Sequence, residues 1–175
     1  MGAGTHHASR ITCHVSRITH HVSRWLLIGL FLVACGSAAG GEPSPPDIHY
    51  GDDVCEFCGM IVSETRYAAA YLADDGHTHT FDDIGDMVQA YLQEPAEVTA
   101  FFVHDHASQD WIRAETATFV HSPDLPTPML SGLAAFAGEE PARSFAVSVG
   151  GRLLTFDQLV TDYRENPPSP PFSGR

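Results

Sequence analysis

Two cysteines and a methionine fall within one short run, Asp53-Val54-Cys55-Glu56-Phe57-Cys58-Gly59-Met60. A thiol pair at this spacing supports three chemistries: half of a zinc site, a redox pair, or a clamp for a soft metal ion. Structural zinc needs four protein ligands, and there is no second CxxC. His77 with His79, or His104 with His106, have the spacing to complete the set. A thioredoxin-type redox pair sits between a strand and a helix that starts at the first cysteine. Here Gly59, Met60, Ile61 and Val62 follow the pair instead and read as leading into a strand. A plain disulfide suits an oxidising compartment, but closing so short a loop gains little entropy. Met60 places a thioether two residues after Cys58, beside a glycine that lets the backbone bend. Thiolate and thioether are soft donors and select Cu(I) over harder divalent ions. Taken alone, Met60 reads as a core side chain before it reads as a ligand.

A second methionine raises the same question. Met129 follows Pro126 and Pro128 in a loop over 122–129, where proline stiffens the backbone and no helical face offers packing. It is either a plug under that loop or a metal ligand.

The elements that must position these residues are legible between about 54 and 166. Residues 66–73 (RYAAAYLA) read as a small-residue strand, Asp74-Asp75-Gly76 as a turn, and 77–81 as the return strand of a hairpin. Thr80-Phe81-Asp82-Asp83 opens a helix that runs to about Gln93, with Thr80 as its cap and both aspartates at the positive end of the dipole. Ile84, Met87, Val88, Tyr91 and Leu92 form its apolar stripe. Strands are expected at 98–103, 110–113, 117–121, 144–149 and 152–155, the last two joined by a Gly150-Gly151 hairpin turn. Thr155-Phe156-Asp157-Gln158 has the form of a capping box and opens a final helix to about Tyr163.

Thr80-Phe81-Asp82 aligns with Thr155-Phe156-Asp157. The pattern strand, glycine turn, strand, helix then reads as a degenerate repeat over 66–93 and 144–164. The expected fold class is α+β: two small, similar strand-hairpin-plus-helix (ββαβ-like) halves, about 54–104 and 105–166, packed as one body because neither is large enough alone.

At this point the residues resemble a known family. The run Cys55-Glu56-Phe57-Cys58-Gly59-Met60-Ile61-Val62 is similar to the CxxCGM signature of the NosL lipoproteins, copper chaperones associated with nitrous oxide reductase. The Thr80-Phe81-Asp82-Asp83 step into a helix, the aromatic strand over 100–104, and Thr127-Pro128-Met129 followed by Leu133-Ala134-Ala135-Phe136 extend the resemblance across the chain. It implies a Cu(I) site built from Cys58 and Met129, with Cys55 and Met60 as neighbours or further ligands. It also implies a carrier rather than an enzyme, which takes copper from a membrane donor and passes it to a recipient copper enzyme such as nitrous oxide reductase. One departure concerns the residues after Met129. The family usually has a glycine there and a second close behind, whereas this chain has Leu130, Ser131 and Gly132.

The N-terminal third supplies an address. Residues 25–34 (WLLIGLFLVA) carry no charge, follow Arg24 and precede Cys35. Ten residues are too few to span a bilayer and fit the apolar region of a signal peptide. Leu32-Val33-Ala34-Cys35 resembles the bacterial lipobox, which implies cleavage before Cys35 and its alkylation by a diacylglycerol. A short buried helix ending in a core cysteine is the alternative. The product expected is an exported, membrane-anchored lipoprotein on the periplasmic face or cell surface. Residues 1–23 hold a near repeat, Ser9-Arg10-Ile11-Thr12 against Ser16-Arg17-Ile18-Thr19, without helix or strand period; it reads as translated repeat DNA upstream of a start at Val22. Residues 35–53 are rich in Gly, Ser and Pro and read as a flexible tether, and 167–175 as a disordered tail.

The charge is lopsided. Arg10, Arg17 and Arg24 precede Cys35 and all 22 acidic residues follow it, so the exported part sets six arginines against 22 carboxylates, with no lysine. A nucleic-acid partner requires clustered basic residues, and none are present.

Overall fold

The computed structural model describes residues 42–168. The upstream repeat, the signal-like segment, Cys35 and most of the expected tail lie outside the described residues. The fold is α+β, with two antiparallel sheets and three α-helices among the described residues.

The first sheet has the order β2-β1-β3-β4, from β1 (Ala69–Ala73), β2 (Thr78–Phe81), β3 (Val98–His104) and β4 (Trp111–Arg113). The hairpin expected at Asp74-Asp75-Gly76 forms. Gly76 takes φ +86°, and the Asp75 carboxylate accepts the His77 N–H at 2.8 Å. Tyr71 on the central strand anchors an aromatic group, its ring centroid 4.6 Å from His79, 5.5 Å from Phe81 and 5.9 Å from Phe101. Helix α1 (Ile84–Gln93) follows β2 directly and buries Ile84, Met87 and Val88.

The second sheet has the order β6-β5-β7, from β5 (Thr118–His121), β6 (Leu133–Phe136) and β7 (Arg152–Leu154), with α2 (Glu139–Ser148) and α3 (Phe156–Glu165) around it. Asp105 joins the sheets. Its backbone bridges Ala135, and its carboxylate accepts the Ala137 N–H at 2.8 Å. One buried cluster runs through both, with Tyr71, Phe81, Ile84, Met87 and Phe101 from the first unit and Phe119, Leu133, Phe156 and Leu159 from the second.

Four local expectations differ from what forms. Residues 144–148 are the last part of helix α2 rather than a strand, and Val149 is its C-cap. Ala142, Phe145, Ala146 and Val149 recur at helical spacing and pack inward. Glu139 and Glu140 sit in the first turn, where the dipole favours them, and both pair with Arg143. Gly150-Gly151 therefore closes a helix instead of a hairpin. Gly150 takes φ +61°, and Gly151 N–H returns to Ala146 O at 2.8 Å, a Schellman-type end. Second, β6 is a strand that the alternation rule passes over, because all four of its residues are buried. Third, α1 begins one turn later than expected. Asp83, not Thr80, is its N-cap, whereas Thr155 caps α3 in the expected box with Gln158. Thr80-Phe81 lies in a strand and Thr155-Phe156 at a helix start, so the two Thr-Phe-Asp runs are not structurally equivalent. Last, the chain packs before residue 54: Ile48 is only 6% exposed, and the Tyr50 hydroxyl meets His104 Nε2 at 2.7 Å.

Candidate metal centre

The Cys55–Cys58 segment is a closed loop. Val54 and Ile61 form an antiparallel bridge across it, Cys55 N–H donates to Met60 O at 2.8 Å, and Gly59 N–H to Cys55 O at 3.0 Å. Gly59 takes φ +75° in open space, so backbone conformation alone favours glycine there. Glu56 stitches the loop to β2. Its N–H donates to Thr80 O at 3.0 Å, and its carboxylate accepts the Thr80 N–H at 3.2 Å.

Stitching to β2 brings the thiols over the junction of β2 with α1. Cys55 is buried, 1% exposed, and its thiol donates to Asp86 Oδ2 at 3.5 Å. Cys58 is half-buried and donates to Asp82 Oδ1 at 3.6 Å. Both cysteines are free thiols. One donor atom from each of Cys55, Cys58, Asp82 and Asp86 lies within 4.8 Å of the others. Burial raises both thiols, Cys58 well above the usual cysteine range. It also raises Asp82, and lifts Asp86 to about 6. An attacking thiolate needs a lowered pKa, so this environment disfavours redox turnover and suits thiols that lose their protons only when a metal replaces them.

Asp83 connects this cluster to the proline loop. One carboxylate oxygen caps α1 through the Gly85 N–H at 2.7 Å. The other accepts the Thr127 hydroxyl at 2.7 Å and the Met129 N–H at 3.0 Å. A Cβ on Gly85 would stand 2.6 Å from Ser131 Cβ, so the loop lies directly on the first turn of α1. Met129 is half-buried there, and Leu130 beside it is 81% exposed at φ +59°. The departure noted at Leu130 thus falls at a position that favours glycine.

Of the sequence candidates, Cys55 and Cys58 come together. Met129 is held by its backbone to the same helix start. Met60, two residues on from Cys58, is 46% exposed. The histidines do not complete the thiol set. His104 Nδ1 faces Gln109 O and its Nε2 the Tyr50 hydroxyl, both at 2.7 Å. His106 stacks among Tyr67, Phe136 and Phe145, and His79 pairs with Glu56 at 2.7 Å. The partners of the thiols are Asp82, which sequence reasoning assigned to the helix dipole, and Asp86, to which it gave no role. Their four-residue separation within a stretch otherwise rich in apolar residues was the available signal.

Residues 48–164 match the family model described as NosL. The chain belongs to the NosL family. It is similar to the copper-binding lipoprotein NosL of Stutzerimonas stutzeri, 26% identical over 145 residues that cover 77% of this chain and 76% of that one. Its fold is similar to the crystal structure of the copper chaperone NosL from Shewanella denitrificans, at a TM-score of 0.59 and 21% identity over 66% of this chain and 96% of that one. Among the described residues no helix is long and apolar enough to cross a membrane.

Proposed function

We propose that this NosL-family chain is an extracytoplasmic copper carrier. It holds Cu(I) through Cys58 and Met129, with Cys55 and Met60 as neighbouring sulfur donors, and passes it to a copper enzyme. The family resemblance points to nitrous oxide reductase as the recipient and to a membrane protein as the donor. Lipid on Cys35 would keep the carrier at the membrane where both work. The observation that carries the reading is the Asp83 carboxylate. It fixes the Met129 backbone to the helix start beside which both thiols lie.

The donor set accounts for selectivity and release together. A thiolate and a thioether are soft enough to prefer Cu(I). Cys58 and Met129 are both half-buried, so an incoming ligand can reach the ion from the open side, while Cys55 lies deeper. Transfer is then a ligand exchange in which the neutral thioether yields before the thiolate, with no bond-making catalysis. The acidic surface draws cations towards the carrier, an effect that salt weakens.

Competition titration against a Cu(I) chelator under reduction tests the assignment. Cys58→Ser is expected to weaken binding by at least about a hundredfold, since it removes the anionic soft donor, and Met129→Leu by less. Unchanged affinity in Cys58→Ser ends the proposal.

A further inference from the structure

The chemistry of the thiols makes no use of His77 and His79, although their spacing is that of a ligand pair. Residues two apart in a strand share a face. Ala73 N–H donates to the His77 carbonyl at 2.8 Å, so the hairpin pairing extends to His77, and His79 stands on the same side. Their ring centres lie 5.7 Å apart. His77 is exposed, while His79 is half-buried and rests against the Tyr71 ring at 4.6 Å.

Glu56 decides which nitrogen of His79 is free. Its Oε2 lies 2.7 Å from Nδ1. A carboxylate accepts, so Nδ1 carries the proton and the neutral ring keeps its lone pair on Nε2. Metal-ligating histidines are oriented by carboxylates in this way. The Thr80 N–H holds the other oxygen of Glu56 at 3.2 Å, so the carboxylate itself is fixed. Glu56, His79 and Glu94 line a cavity of about 340 Å3, which opens the ring to water and ions. The ring spacing fits one ion. Two imidazoles bound at about 2.0–2.1 Å, each ring centre about 1.2 Å beyond its nitrogen, stand about 4.5 Å apart at a right angle and about 5.2 Å apart at the tetrahedral angle. Rotation of the exposed His77 side chain closes that difference of about 0.5–1 Å. Imidazole suits copper(II), nickel and zinc, and copper(II) heads their order of affinity. Calcium and magnesium take oxygen ligands instead.

We propose that His77 and His79 form a surface site for a divalent ion of the copper(II) class, with Glu56 positioning His79 and water filling the remaining coordination positions. The site shares no donor with the thiols or with the aspartates at the start of α1, and it does not rest on the copper-carrier reading. It offers nitrogen to an oxidised, divalent ion at the edge of the first sheet, whatever the sulfur donors carry.

The test uses the exported chain over 35–175, which leaves out the histidines of residues 1–23. It carries Cys35→Ser, Cys55→Ser and Cys58→Ser, so that no thiol reduces the ion, and is titrated with Cu2+ under electron paramagnetic resonance. One ion per chain is expected, with hyperfine splitting from two nitrogens. His77→Ala and His79→Ala should each weaken binding at least about tenfold, and Glu56→Gln about tenfold with the two-nitrogen spectrum retained, as for a group that only supports a ligand. His49→Ala removes an exposed histidine elsewhere and should leave the titration unchanged. In the intact reduced chain, excess Zn2+ should shift the His77 and His79 ring signals together in nuclear magnetic resonance, which decides the matter even if the serine chain fails to fold. A spectrum with fewer than two nitrogens, binding unaltered by the His77, His79 or Glu56 variants, or unshifted ring signals overturns the proposal.

Discussion

Removing the Asp83 carboxylate should loosen the proline loop and the helix start together. In Asp83→Ala, α1 loses its N-cap, a change that costs about 1 kcal/mol. Thr127 is buried, and its hydroxyl would lose its 2.7 Å acceptor and keep only the longer 3.3 Å contact with Ser131 Oγ; leaving a buried donor so poorly paired costs about 2 kcal/mol. The Met129 N–H loses a 3.0 Å bond at a half-buried position that water can reach, about 1 kcal/mol more. The expected loss is about 4 kcal/mol, a large share of the 5–15 kcal/mol typical of a domain. Thr155→Ala is the matched control. It removes the cap of α3 at an exposed residue with no loop attached, so about 1 kcal/mol should be lost. Urea unfolding of the reduced, metal-free chain at neutral pH measures both. A loss in Asp83→Ala no greater than in Thr155→Ala would refute the claim that Asp83 clamps the Met129 loop.

Three further outcomes are expected. Leu130→Gly should raise the urea midpoint, because Leu130 is exposed and held at positive φ; relief of that strain, about 1–2 kcal/mol, exceeds the backbone entropy that glycine adds to the unfolded chain. Gly85→Ala should cost about 1–3 kcal/mol by overpacking, since its Cβ would meet Ser131 and the Tyr163 hydroxyl at 2.6 and 2.7 Å; a neutral melt would contradict the close approach. The pH dependence follows from Asp86, whose folded pKa of about 6 lies above its ordinary 3.8. The folded state therefore binds more protons than the unfolded chain between those values, and this group lowers stability as pH rises from about 4 to about 6, by up to about 3 kcal/mol. Asp86→Asn should match the parent chain below pH 4 and exceed it at neutral pH, and parallel stability curves across that range would contradict the buried charge.

The parts of the fold legible in sequence are those set by local chemistry. The capping box at Thr155 and Gln158 needs only four consecutive residues. The Asp74-Asp75-Gly76 turn needs a glycine at positive φ, and both form. Helix α2 was misread because Ser144-Phe145-Ala146-Val147-Ser148-Val149 alternates like a strand, although its inward residues follow helical spacing once Glu139 and Glu140 are taken as its first turn. At the candidate centre, the sulfur residues announce themselves by type. The aspartates do not, because Asp82, Asp83 and Asp86 share one composition and only tertiary contacts divide them between a cap and the thiols' partners. His104 and His106 look like metal ligands by spacing, but strand β3 ends at His104 and turns, and each ring enters a different aromatic cluster.

The Glu56 stitch has a consequence for molecules crowded on one surface. Strand β2 is an edge of its sheet, and an uncovered edge is a template on which a second chain can add a strand. Glu56 occupies both hydrogen-bonding groups of Thr80 from within the cysteine loop. The loop that presents the thiols is thus also a guard against self-association, and any change that unseats it would expose the edge and the thiols at the same moment.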